Sequence, residues 1–176
     1  MNTTFDRKQR LHQLEFEALP IVWDSLCDVD TLCRRFLVPF REYADVKSVG
    51  DAGVAEILLK KGAIQSEIDM VLQSADKQKS FIWALEKYNY NALVNSFHNF
   101  RHKMQKSSLY IGDDMMKLLL EYNNLVNSAS QEQCINLLDG VGKWSRESIK
   151  QFQSRADDLV EEIKHGVIDH LYSNAR

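Results

Sequence analysis

Helix breakers are scarce in this chain. Its 176 residues include 2 Pro and 7 Gly, below the average usage of roughly 5% and 7%. Between these few breakers, apolar residues recur at spacings of three and four over long distances. An α-helix turns once in 3.6 residues, so that spacing gathers the apolar groups onto one face. Few chains with so little punctuation can do anything but coil, and the pattern predicts an all-α protein.

The periodic segments give the expected helices. The first runs from about Phe5 to Leu37, with a stripe through Leu11, Leu14, Ala18, Val22, Ser25 or Leu26, Val29, Leu32 or Cys33, and Phe36. The rhythm survives across Pro20, which predicts a kink there, with a break and restart as the alternative. Pro39 closes the segment, and residues 40–50 read as a connector. Two short helices follow. Asp51 is expected to cap the first, over Ala52 to Lys61, with Gly62 as its terminator. Ser66 and Asp69 form a variant capping box that opens the second, over Glu67 to about Gln73.

A long helix is predicted over Asp76 to Lys106, a rod of about 46 Å at 1.5 Å per residue. Its apolar positions are Phe81, Leu85, Tyr88, Ala92, Leu93, Phe97, Phe100 and Met104. The next helix runs from Asp113 to Leu138, with a pause expected near Ser128–Ser130. Gly140-Val141-Gly142-Lys143 reads as a loop; it lacks the spacing and the preceding strand of a phosphate-binding loop. The last helix is expected over Ser145 to Tyr172, with Ser145 and Ser148 competing as caps. Its stripe (Ile149, Phe152, Ala156, Leu159, Ile163, Val167, Leu171) is the cleanest of all. Gly166 interrupts it at a cost of about 1 kcal/mol against Ala, which predicts close packing there. The whole reads as one domain over 1–176: a helical bundle of about four long helices, with two short helices inserted after the first.

Composition limits the function classes. The chain is 44% hydrophobic and 27% charged, as suits a globular protein with a real core. Its 8 Phe, 6 Tyr and 3 Trp are too many large apolar groups for a disordered chain. A formal net charge of -3 provides no overall basic field, which argues against nucleic acid as the partner. No apolar run approaches the roughly 20 residues of a membrane-spanning helix. Met1–Lys8 carries no apolar stretch of the secretory type. The 3 Cys (Cys27, Cys33 and Cys134) form no CxxC pair and read as buried thiols of a reducing compartment. The expected location is cytoplasmic.

Candidate sites are few. His98 and His102 stand four apart, so both rings can share one helix face and one metal ion such as Zn²⁺. The sequence names no third ligand, and Arg101 and Lys103 would repel a cation. The plain alternative is a polar, basic helix end. Glu162 and His165 have the Glu-x-x-His spacing of di-iron bundles, but the second such pair is missing. Arg101, Lys103 and Lys106 form a basic patch interleaved with Phe97, Phe100 and Tyr110, a combination that can hold nucleic acid or an acidic partner. Here the aromatic groups fall on the apolar stripe, where the core claims them. The pattern names no catalytic residue and no cofactor.

A Pro-interrupted first helix, a short helix pair, Asp76-Lys77 opening a long helix, and a Leu109-Tyr110-Ile111-Gly112-Asp113-Asp114 turn occur in that order. In this the chain resembles all-helical domains of uncharacterised bacterial proteins, some of which place a membrane anchor ahead of the domain. The resemblance implies a helical fold over most of the chain and supplies no activity.

The sequence thus points to a non-enzymatic interaction or structural domain, with a protein partner or self-association. Phe81, Ile82, Trp83 and Leu85 make the long helix apolar on more than one side, as deep burial or a subunit interface would require. A metal- or small-ligand-binding bundle, acting as sensor or enzyme, and a nucleic-acid-associated regulator are the alternatives.

Overall fold

The computed structural model describes residues 3–38, 41–139 and 145–172. It is an all-α bundle of six helices: α1 (Thr3–Leu37), α2 (Val46–Lys60), α3 (Gln65–Leu72), α4 (Lys77–Ser107), α5 (Asp113–Asp139) and α6 (Glu147–Tyr172). No strand is present among the described residues. The chain divides into two compact units. Unit 1 comprises Met1–Leu37 and Asn95–Arg176, and unit 2 comprises Val38–Val94. Helix α4 runs through the division without interruption.

Unit 1 contains α1, the second half of α4, α5 and α6. Helices α5 and α6 pack along each other most extensively, and α1 lies against both. The stripe read from the last helix is the one that is buried, from Ile149 and Phe152 through Val167. Tyr122 on α5 sits at the centre of the unit. Its ring meets Phe100 edge-on with centroids 6.3 Å apart and Phe152 at 6.4 Å. Burying groups of this size contributes roughly 1.5–3 kcal/mol each. Gly166 behaves as its position in the stripe predicts: a Cβ there would lie 2.4 Å from Met115 Cε. The α5–α6 contact is close because the glycine leaves room for the methionine tip.

Helix α1 continues through Pro20 without a break. Among its described side chains the buried ones run from Ala18 onward, and Leu14, which the stripe includes, is exposed; the side chain of Leu11 lies outside those described. Helix α5 shows no pause at Ser128–Ser130. Ala129 is buried there, and Ser130 Oγ donates to the Asn127 carbonyl, so the hydroxyl is accommodated within the turn. The Gly140–Lys143 loop and Pro39 lie outside the described residues.

Unit 2 packs α2, α3 and the first half of α4 around Val54, Leu58, Ile68 and Phe81. Two expected caps are displaced. Asp45, not Asp51, opens α2: its carboxylate accepts from the Lys47 amide at 3.1 Å. The first turn then breaks at Gly50, whose φ of 68° is left-handed and suits glycine. Asp51 pairs with Lys77 of α4 at 2.9 Å. Gly62 ends α2 as expected. Its N–H donates to Leu59 O and the Ala63 N–H to Leu58 O, the paired closure of a Schellman motif.

At α3 the Ser66–Asp69 box is not used. The helix starts two residues earlier than expected, and Glu67 reaches back to accept the Ile64 N–H at 3.3 Å. Ile64 has no polar side chain to return the bond, so only half of a capping box forms. Asp76 caps α4 through the Lys79 amide at 3.0 Å.

Candidate interaction surface

Residues two apart on a helix point in nearly opposite directions, about 200° around the axis. Phe81, Leu85 and Tyr88 face the core of unit 2, so Trp83 is turned away from it and is 52% exposed. Helix α3 buries Ile68 and Val71 and leaves Met70 66% exposed. Ile64, just ahead of α3, is 63% exposed, and Leu59 at the end of α2 is 56% exposed.

Three of these groups border one ion pair. Lys87 Nζ lies 2.8 Å from Glu67 Oε1 and 5.9 Å from the centre of the Trp83 ring. Ile64 is tied to the same carboxylate through its backbone N–H, and Met70 follows Glu67 by one turn of α3. Tyr88 donates its hydroxyl to Glu67 Oε2. These bonds, led by that from Lys87 and followed by that from Tyr88, hold the Glu67 carboxyl down at about 2. The same bond pushes the Tyr88 phenol up to about 12. The result is an apolar patch with one anion and one cation fixed inside it.

Unit 2 also contains a buried carboxylate. Glu86 accepts from Arg41 and from the Tyr43 hydroxyl, both of which lie outside the helices, and more weakly from Asn89 at 3.4 Å. Burial, then the bond to Glu86, raises the Tyr43 phenol to about 12. A buried acid so enclosed ties residues 41–43 to α4, and losing one partner would leave an uncompensated charge. The open cleft beside it is lined by Asp45, Lys47, Asp76, Lys77 and Gln78 among others. Its polar groups hold the fold together: Gln78 bridges Val46 N and Ala44 O, Lys77 binds Asp51, and Asp45 and Asp76 cap helices.

In unit 1, one polar cluster joins α1 to α5 and α6. Tyr122 Oη donates to Asp30 Oδ1 at 2.8 Å, Arg34 Nε to Asp30 Oδ2 at 2.7 Å, and a second Arg34 nitrogen lies 2.8 Å from Asp157. One arginine therefore links α1 to α6, and one phenol links α5 to α1. Burial above all, with the negative charge of Asp30, raises the Tyr122 phenol far above its ordinary value.

Another cluster caps α6 from outside. Glu132 on α5 accepts from Ser145 Oγ at 2.5 Å, Glu147 N at 3.1 Å and Ile149 N at 2.8 Å. Asn136 donates to Ser145 O at 2.7 Å. Burial raises the Glu132 carboxyl, but the bonds from Ser145 and the α6 amides outweigh it, and the net shift is downward.

His98 and His102 occupy the predicted face of α4, and both are exposed. No group of three or more His, Cys, Asp or Glu side chains able to hold a metal ion is found among the described residues. His165 is exposed, and Glu162 is paired with Arg155 at 2.5 Å. Arg101 and Lys106 are exposed and Lys103 half-buried. Phe97 and Phe100 are buried, so neither ring is available for stacking on a base, and the Arg101 guanidinium lies 5.9 Å from the Phe97 ring centre. Burial raises the Cys33 thiol to about 12 and also raises Cys27, which keeps both in the protonated form that is a poor nucleophile.

The run Phe81, Ile82, Trp83 and Leu85, apolar on more than one side, carried the signal for Trp83, which stands two residues from both Phe81 and Leu85 and is turned outward. The sequence pattern singled out none of Glu67, Glu86 and Glu132 as a bonding group, because their partners lie on other segments.

No protein-family model, curated protein or solved structure matches the chain. No helix among the described residues is long and apolar enough to cross a membrane. Fold and surface together define the class of the molecule: an all-α helical bundle with an apolar patch on its second unit.

Proposed function

We propose that this chain is a non-enzymatic helical interaction module of the cytoplasm. In this reading, two short helices inserted after the first of four long ones carry the contact surface, together with the start of the second long helix, α4. The observation behind it is the exposure of Ile64, Met70 and Trp83 around the Glu67–Lys87 pair. Exposed apolar groups gathered around a fixed ion pair mark a site of association. Aromatic residues and Met are enriched at such sites, and Met adapts its shape to what it meets. An unbranched thioether and an indole beside a fixed ion pair offer both contact area and orientation.

The test is co-purification of a tagged chain from its own cells after mild cross-linking. Wild type is compared with the Met70→Ser, Trp83→Ser double variant. Both positions are more than half exposed, so the helical content of the variant should equal that of wild type by circular dichroism. The expected result is a protein, this chain or another, held by wild type and lost by the variant. Equal recovery from both would overturn the proposal.

A further inference from the structure

The geometry points to a second copy of this chain as the occupant of the unit 2 patch, in a two-fold arrangement that sets Lys87 of each copy against Glu67 of the other. The inference rests on the interaction reading above and names the partner. Its basis is the charge pattern within the apolar surface. Glu67 and Lys87 stand side by side, with the Trp83 ring 5.9 Å from the ammonium, the Ile64 N–H on the carboxylate, and exposed Met70 one turn beyond Glu67 on α3. In a two-fold interface, residue i meets residue j and residue j meets i. A patch with one anion beside one cation is the smallest pattern that complements itself under that operation. An unrelated partner would have to carry the opposite pair at the same spacing; a second copy carries it by symmetry.

The chemistry of the pair permits sharing. An ammonium has three N–H donors, and Lys87 uses one on Glu67 of its own chain. Its side chain is 42% exposed and that of Glu67 is 27% exposed, so both can be reached from outside. Covering the pair with apolar groups from the second copy lowers the local dielectric and strengthens all four charge contacts. A lipid or nucleic-acid surface fits poorly. Basic and acidic side chains nearly balance over residues 38–94, and Lys60 and Lys77 are already paired with Glu56 and Asp51.

The experiment is multi-angle light scattering on the purified full chain over a wide concentration range. Wild type is expected to approach twice the mass of one chain. Lys87→Glu alone and Glu67→Lys alone each place like charges across the two-fold, and each should weaken association about tenfold or more. Mixing the two variants restores opposite charges at both crossings, so the mixture should regain the double mass. A pair that matters only within one chain gives no such recovery. Glu67 also caps α3, so circular dichroism must show that each variant is folded. Met70→Ser, which leaves the pair intact, provides an independent variant and should also weaken association.

Wild type with the mass of one chain at every concentration overturns the inference. So does a mixture that associates no better than its components. A single-chain mass together with patch-dependent retention of a different protein removes the second copy as occupant and leaves the proposed function standing.

Discussion

Replacing Glu132 with Ala should loosen the start of α6 more than any other single polar substitution on α5. The wild-type carboxylate takes three donors at that end: Ser145 Oγ, Glu147 N and Ile149 N. Ser145 and Glu147 are exposed, so water replaces their lost partner at little cost. Ile149 is buried, and its amide donates to the carboxylate at 2.8 Å. An orphaned buried amide costs about 1–3 kcal/mol. Loss of the negative charge at a helix N-terminus adds about 0.3–1 kcal/mol. The usual range for losing an N-cap, about 0.5–2 kcal/mol, overlaps only the lower end of that sum. The expected destabilisation is therefore about 2 kcal/mol, or roughly 4–8 °C in Tm for a chain of this length.

Glu132→Gln keeps one carbonyl oxygen for Ile149 and loses the charge, and about 1 kcal/mol is expected. Ser145→Ala should cost less than about 0.5 kcal/mol, because the hydroxyl is exposed. Urea unfolding followed by circular dichroism measures all three. Amide hydrogen exchange locates the effect, which should appear first at Glu147–Ile149. The reasoning fails if Glu132→Ala lies within about 0.5 kcal/mol of wild type. It also fails if Gln is as damaging as Ala, or if the accelerated exchange lies elsewhere.

Two more outcomes are expected. Asp30→Leu should destabilise more than Tyr122→Phe: the first leaves a buried phenol hydroxyl without an acceptor, at about 1–3 kcal/mol, and the second removes only the donor from a carboxylate that Arg34 still holds. Denaturant midpoints of the two variants check the order, and equal midpoints would refute it. The Glu67 carboxyl is depressed from 4.5 to about 2 in the folded chain, so its contribution to unit 2 is complete above pH 4.5 and is lost as pH falls toward about 2. Lys87→Met and Tyr88→Phe should each move the Glu67 titration upward by carbonyl-carbon NMR; an unmoved titration in both would refute the assignment.

The secondary structure was largely legible in the sequence. Helices α1, α4, α5 and α6 start and stop close to where apolar periodicity, Asp76, Asp113 and Pro39 place them. The stripe of α6 and the packing role of Gly166 were also legible. The differences were Asp45 for Asp51, Gln65 for Glu67, the unbroken α5, an outward Leu14, and an exposed Ala92 in the middle of the α4 stripe. Caps are decided within one turn, where neighbouring Asp and Ser residues compete on nearly equal terms. Nothing in periodicity chooses among them.

Amino-acid order by itself determined that the chain coils and which face of most helices is oily, because both depend on residues three and four apart. Tertiary packing decided what the polar groups do. Tyr122 finds Asp30 at a separation of 92 residues, Arg41 finds Glu86 at 45 and Glu132 finds Ile149 at 17. It also decided that Trp83 stays in water beside Lys87 while Phe81 does not. The physical reason is range: helix formation is a local equilibrium along the chain, whereas a charge or an indole takes its role from whatever the folded chain brings beside it.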